Sequence, residues 1–282
     1  MKVVVIGARG MLGRAVMTAC QAVGWEVAGY DLPELDITRM DGREVEEADW
    51  IVNCAAYTNV NQAEQEASKS FLVNAVGAGN LARMCALYGW KMLHVSTDYV
   101  FDGDRHLNHP YDEEDATNPV NVYGMSKLMG EYLVQKELPG ALIVRTQSLF
   151  GKHGVNFVES ILKQVADGKT ELEVVDDQVS CPTYVAHLAK GMVALMDHNA
   201  AGIVNCSAEG SCSWYDFAVE ILFQSGIDDV IVHAIRTGHY PIKAIRPSRS
   251  ALCKARYEVL TGEEMPSWEN GLREYLAERS KA

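Results

Sequence analysis

Apolar residues are arranged along this chain in two alternating patterns. The first is a short continuous run: KVVVIG at 2–7, WEVAGYD at 25–31, DWIVNCAA at 49–56, KMLHVSTD at 91–98 and GALIVRT at 140–146. Such β-branched runs suit strands covered on both faces of a parallel sheet. The second is helical, with apolar positions recurring every three or four residues in MLGRAVMTACQAVG (11–24), SFLVNAVGAGNLARMCALYG (70–89) and YGMSKLMGEYLVQKEL (123–138). Strand and helix alternating in this way predict an α/β fold built on a doubly wound, Rossmann-like parallel sheet.

Beyond Phe150 the alternation loosens. Helices are expected within 156–168, 186–199 and 213–226, with short strands at ELEVV (171–175) and GIVNCSA (202–208). Residues 1–150 therefore read as a dinucleotide-binding domain and 151–282 as a smaller, mainly substrate-binding C-terminal region. GIVNCSA belongs either to that region or to the main sheet.

Composition narrows the partners. The 282 residues are 48% hydrophobic, ample for a large core, and carry a net charge of −13. An acidic surface disfavours nucleic acid and anionic membranes, whose phosphates need clustered cations. Seven cysteines form no Cys-x-x-Cys pair, so they read as reduced thiols in a cytoplasmic protein, with neither a disulfide frame nor a metal site. The start, MKVVVIGARG, turns into glycines too early for a signal peptide, and no apolar run approaches the roughly 18 residues of a membrane span.

Gly7, Gly10 and Gly13 follow the first strand directly and open a helix. This placement suits a pyrophosphate: glycine lets the backbone approach it, and the helix N-terminus offers amides and partial positive charge. Asp31, ending the second strand, stands where an acid bonds the adenosine ribose and favours NADH. Arg9 and Arg14 stand where cations would favour the 2′-phosphate of NADPH. Both cofactors remain open.

Tyr123 and Lys127 lie four apart at the head of a helix and share one face. Reduction of a ketone leaves an alkoxide that a tyrosine can protonate. A lysine ammonium and a nicotinamide cation nearby would lower the phenol's pKa from its usual value of about 10. A hydroxyl from a neighbouring strand end should bind the ketone oxygen, and Ser96 and Thr97 end the fourth strand.

With these features, and with GARGMLG, LDIT, VNCAAYTNVNQAE, HVSTDYVFDG, PYDEEDATNPVNVYGMSKLMGE, VRTQSLFGKHGVNFV, DDQVSCPTY and IRPSRSAL, the chain resembles the dTDP-4-dehydrorhamnose reductase family of extended short-chain dehydrogenase/reductases. The resemblance implies Tyr123 as proton donor, Lys127 as its partner and Thr97 as the ketone-binding hydroxyl. It also implies cofactor contacts from Met11, Leu12, Gly13, Asp31, Asp36, Ile37, Ala56, Tyr57 and Thr58, with Asp98 beside the sugar. Three departures stand out. Ser148 occupies the position of a substrate-facing tryptophan. Ala15 and Ala186 replace glutamates that hold magnesium at a dimer interface in some members, so no metal is expected and the chain is a monomer or a homodimer. Asn61 stands where aspartate is common.

From Ile231 to Tyr257 there is no acidic residue, yet Arg236, Lys243, Arg246, Arg249, Lys254 and Arg256 fall there. Such a run reads as a diphosphate site, with Arg246 and Arg249 as leading candidates. The acidic stretch YDEEDATNP (111–119) is a solvated turn or a lid near the site. Together these features imply NAD(P)H-dependent reduction of the 4-keto group of a nucleotide-linked 6-deoxy sugar, with dTDP-4-dehydro-L-rhamnose as the leading substrate. The alternatives are a reductase of another nucleotide-4-keto sugar and a catalytically idle, cofactor-binding regulatory subunit.

Overall fold

The computed structural model describes residues 1–40, 45–103, 109–239 and 244–280. The apolar runs form β1 (Lys2–Ile6), β2 (Glu26–Tyr30), β3 (Trp50–Asn53), β4 (Lys91–Thr97) and β5 (Leu142–Thr146), and Gly202–Asn205 forms β6. They make one six-stranded sheet in the order β6-β5-β4-β3-β1-β2, parallel throughout. Successive strand residues face opposite sides, so each run splits between two cores. Val3, Val5, Val52, Leu93 and Val144 face one core. Val4, Ile6, Ile51, Met92 and Ile143 face the other, against Leu81 and Val134.

GIVNCSA resolves in favour of the main sheet: Ile203 and Val204 pair with Ile143 and Val144 of β5. A boundary at residue 150 therefore leaves one strand of the main sheet, β6, on its C-terminal side. A separate parallel pair, Glu171–Val175 with Ile231–Ile235, stands in the C-terminal half. The helix expected at 70–89 is interrupted. It runs as Ala67–Phe71, a π turn at Leu72–Gly77, then Ala78–Tyr88. A π turn holds more residues than the 3.6 of an α turn, so apolar periodicity does not register it.

The stretch 111–119 is pinned rather than hinged. Tyr111 exchanges backbone bonds with Ala251 and Cys253, the Asn205 amide donates to Glu113 Oε1 at 2.8 Å, and Arg145 donates to the Glu113 carbonyl. All seven cysteines are free thiols. Among the described residues, no helix is long and apolar enough to cross a membrane.

Candidate active site at the carboxyl edge of the sheet

The carboxyl ends of β1 to β5 bring the predicted site residues to one edge of the sheet, where open parallel sheets bind ligands. After β1, Gly7 has φ +78, and a Cβ there would stand 2.7 Å from the Ala55 nitrogen, so only glycine fits between β1 and the β3 loop. The helix Met11–Ala22 begins at Gly10 with no side-chain cap and no acid in its first turn, leaving its leading amides for an anion. This is a fit for a dinucleotide pyrophosphate. Leu12 is buried in the core and the Met11 side chain lies against Gly151 and Gly154, so both present backbone to the turn.

At the end of β2, Asp31 accepts from the Arg9 amide at 2.9 Å and from the Leu32 amide. It clamps the glycine turn to the end of β2. The Arg9 guanidinium, weighed above as a phosphate ligand, donates to the Leu32 carbonyl and pairs with Glu34. Asp36 caps its own short turn, accepting from the Thr38 amide and hydroxyl. Ile37 is buried.

The loop after β3 carries Ala56, Tyr57 and Thr58. The Tyr57 amide donates to Asn74 Oδ1 at 2.8 Å, and Asn74 donates to the Tyr57 carbonyl and to Ser126 Oγ. Ser126 in turn donates to the Tyr123 carbonyl at 2.7 Å. Asn74 lies in the π turn, which ties this loop to the helix Val122–Glu137. Nothing in its local pattern marked Asn74.

Tyr123 opens that helix behind the cap Asn121, which accepts from the Gly124 amide at 2.8 Å. A Cβ on Gly124 would stand 2.1 Å from the Tyr99 carbonyl oxygen, so glycine lets the first turn seat against the loop after β4. The Tyr123 phenol is close enough to the Thr97 hydroxyl to feel it electrostatically and lies edge-on to Tyr99 at 5.7 Å between ring centroids. Of the two candidate hydroxyls, Ser96 donates to Glu131 Oε1 at 2.5 Å. Thr97 therefore reaches the phenol, and Ser96 braces the helix.

The sequence led us to expect a phenol with a depressed pKa. Instead, burial pushes Tyr123 above its usual range and the Asp98 and Tyr99 charges add to this, with the Thr97 hydroxyl opposing. Lys127 Nζ donates to the Val95 carbonyl at 2.6 Å and stands 3.5 Å from His94 Nε2. Burial lowers that ammonium to about 8, against the Glu131 charge. The same ammonium, after burial, keeps His94 neutral. His94 and Glu131 are neighbours of Lys127 that sequence reading missed, although Glu131 lies one further four-residue step along the same face.

Asp98 follows Thr97 directly and is buried. Beyond it, Arg246 donates to Asn61 Oδ1 at 3.3 Å, and its charge acts on the Tyr99 phenol. It lines a cavity of about 740 Å³ with Asn61, Phe157, Gln178 and Trp214, a volume within the roughly 300–1,000 Å³ of ligand pockets.

The rest of the basic run disperses. Lys254 is buried against Glu209, Arg236 faces Asp176, Arg256 lies beside Gly202, and Lys243 falls outside the described residues. Arg249 is exposed, and its backbone, not its side chain, joins Gly103 and Val179. The described members of the run therefore do not gather in one cluster, and Arg246 is the one that lines the cavity. Ser148 has φ +47, and its hydroxyl pairs with that of Ser180 at 2.8 Å.

The comparisons with known proteins agree with this geometry. The family model of the RmlD substrate binding domain matches residues 1–281. The spore coat polysaccharide biosynthesis protein SpsK of Bacillus subtilis is 39% identical, covering 100% of this chain and 99% of its own. The dTDP-4-dehydrorhamnose reductase of Mycobacterium tuberculosis is 36% identical over 98% of this chain and 92% of its own. The crystal structure of dTDP-4-dehydrorhamnose reductase from Bacillus anthracis in complex with NADP superposes with a TM-score of 0.93 at 36% identity, covering 98% of this chain and 99% of that one. With a glycine turn, a Tyr/Lys helix and near end-to-end similarity, the chain belongs to the RmlD, or dTDP-4-dehydrorhamnose reductase, family.

Proposed function

We propose that this protein is a cytoplasmic NAD(P)H-dependent oxidoreductase that reduces the 4-keto group of a nucleotide-linked 6-deoxy sugar, with dTDP-4-dehydro-L-rhamnose as its substrate and dTDP-L-rhamnose as its product. The observation that carries this reading is the placing of the Thr97 hydroxyl at the end of β4 beside the buried Tyr123 phenol at the head of the facing helix. The pair stands between the glycine turn on one side and, through Tyr99 and Arg246, a nucleotide-sized cavity on the other.

The glycine turn and the first-turn amides of Met11–Ala22 would hold the pyrophosphate, Asp31 the adenosine ribose, and Lys127 the nicotinamide ribose. A nicotinamide held there would supply hydride to the substrate carbon. Every other task falls to side chains of this chain. Thr97 and Tyr123 orient the ketone oxygen between two hydroxyls, and Tyr123 Oη delivers a proton to that oxygen as negative charge develops. Because Tyr123 is pushed above its usual pKa, the phenol is protonated near neutrality, as a proton donor must be. Lys127 would place its charge near the phenolate left behind and stabilise it. Arg246 would hold phosphate oxygens at the cavity end.

A different nucleotide-linked 4-keto sugar is the second reading, favoured by Ser148. Its side chain is small and turned to Ser180, at a position where the resemblance implies a flat ring. Incubating the protein with dTDP-4-dehydro-L-rhamnose, and separately with other dTDP- and UDP-linked 4-keto sugars, while following NADH or NADPH absorbance, tests both readings. Oxidation with the first substrate is expected. Oxidation with another alone selects the second reading, and none at all selects the regulatory subunit.

A further inference from the structure

Behind Thr97 runs a buried chain of hydrogen bonds that the chemistry above leaves unused. Thr97 Oγ1 donates to Asp98 Oδ1 at 3.0 Å, and Ser250 Oγ donates to Asp98 Oδ2 at 2.5 Å. Thr97 Oγ1 also accepts from the Tyr99 amide at 3.2 Å. Thr97, Asp98 and Ser250 are all nearly inaccessible, at 6%, 2% and 3% exposure. Ser250 lies 152 residues further along the chain and is held in place by its amide on the Val179 carbonyl.

A hydroxyl has one proton to give and lone pairs to receive. While Asp98 is a carboxylate, the Thr97 proton is committed to it. Thr97 then offers only acceptor positions forward, and the phenol proton of Tyr123 turns toward Thr97 rather than toward a substrate oxygen. With a proton on Oδ1 the direction reverses: Asp98 donates to Thr97, and Thr97 donates forward to the ketone. The Ser250 bond to Oδ2 occupies that oxygen as an acceptor, so the proton belongs on Oδ1, facing Thr97.

We infer that Ser250 and Asp98 are positioning residues that set the direction of the Thr97 hydroxyl, and that the form with Oδ1 protonated is the one that binds and reduces the ketone. The inference rests on the reductase reading above. Asp98 is suited to the role because burial raises its carboxyl to about 7, against the bonds from Ser250, Thr97 and the backbone that favour its charged form. The titratable groups facing it are the phenols of Tyr99 and Tyr123 and the thiol of Cys181, all pushed above their usual values and uncharged near neutrality. Arg246 acts on Tyr99 and Lys254 on Cys181. Lys127, at about 8, is the other group near this range.

Turnover should therefore fall as pH rises through the Asp98 range. Ser250→Ala removes a bond that favours the carboxylate, so Asp98 should stay protonated longer and the falling limb of kcat should move up by about one pH unit. Ser250→Thr should restore the original profile. In Asp98→Asn the amide carbonyl takes the Ser250 bond and the amide nitrogen faces Thr97, imitating the protonated form, so the Asp98 limb should vanish while a limb from Lys127 remains.

The experiment measures kcat against pH for the three variants and wild type with dTDP-4-dehydro-L-rhamnose. In parallel, carbon-13 NMR titrates the Asp98 carboxyl in wild type and Ser250→Ala without substrate. An upward shift in both measurements, reversed by threonine in the profile, is the expected result. A Ser250→Ala profile that only shrinks in amplitude, or an Asp98 titration identical to wild type, overturns the inference. Absence of wild-type turnover would sink the reductase reading instead, and the NMR arm would still decide whether Ser250 controls Asp98.

Discussion

Arg145 and Glu131 form a buried, two-pronged ion pair, with Nη2 to Oε2 at 2.8 Å and Nε to Oε1 at 2.9 Å. Each side chain is 3% exposed. The pair joins β5 to the helix carrying Tyr123 and Lys127, and the guanidinium lies 5.0 Å above the Phe101 ring. Removing one partner strands the other as a buried charge. Arg145→Met should therefore lower stability by roughly 3–5 kcal/mol. The double variant Glu131→Leu with Arg145→Met should recover part of that loss, because neither member of the pair is left alone, while Lys127 loses the Glu131 charge and Ser96 its acceptor. Urea unfolding of the three proteins checks this, and a double variant as unstable as the single would refute it.

The helix head makes three separable kinetic predictions. Tyr123→Phe keeps the ring against Tyr99 but removes the proton donor, so kcat should fall roughly 10²–10⁴-fold with dinucleotide affinity intact. Thr97→Val should also reduce kcat and spare cofactor binding. Lys127→Ala should reduce both, since the ammonium would serve the phenol and the ribose. Steady-state kinetics with a cofactor-binding titration separates the three, and near-wild-type turnover by Tyr123→Phe would eliminate the proposed mechanism.

At the cavity, Arg246 and Arg249 should now behave differently. Arg246→Ala should weaken substrate binding by roughly 1.5–3 kcal/mol, as for a lost charged hydrogen bond, with little change in cofactor affinity. Arg249→Ala should be nearly silent, because Arg249 joins its neighbours through backbone. Calorimetry with dTDP alone distinguishes them, and equal losses would return Arg249 to the phosphate site.

The two opposing charges after β1 and β2 are each partly engaged by other groups. Asp31 is bonded to two amides and Arg9 is paired with Glu34. NADH and NADPH should thus both support turnover, within about 10-fold in kcat/KM. Glu34→Gln frees Arg9 for a 2′-phosphate and should shift that ratio toward NADPH by roughly two- to five-fold. A shift toward NADH would mean that Arg9 does not face the ribose.

Local pattern carried much of this protein. Continuous β-branched runs and the glycine spacing set β1 to β5 and the phosphate turn, because the interactions involved lie within one strand–turn–helix unit. A four-residue step was enough to put Tyr123 and Lys127 on one face. What tertiary structure alone decided are contacts between distant segments, which no local period encodes. GIVNCSA became a strand of the main sheet through pairing with β5. The run of cations scattered because Lys254 met Glu209 and Arg236 met Asp176. Arg9, open to a phosphate by position, was engaged by Glu34. Lys127 was legible as a charge, but its lowered pKa came from burial beside β4 and from no neighbour in sequence. Ser250 had no signature of its own. Only the closure of the chain over 152 residues set its hydroxyl against Asp98, and burial there is what makes a single hydrogen bond able to govern a carboxyl group.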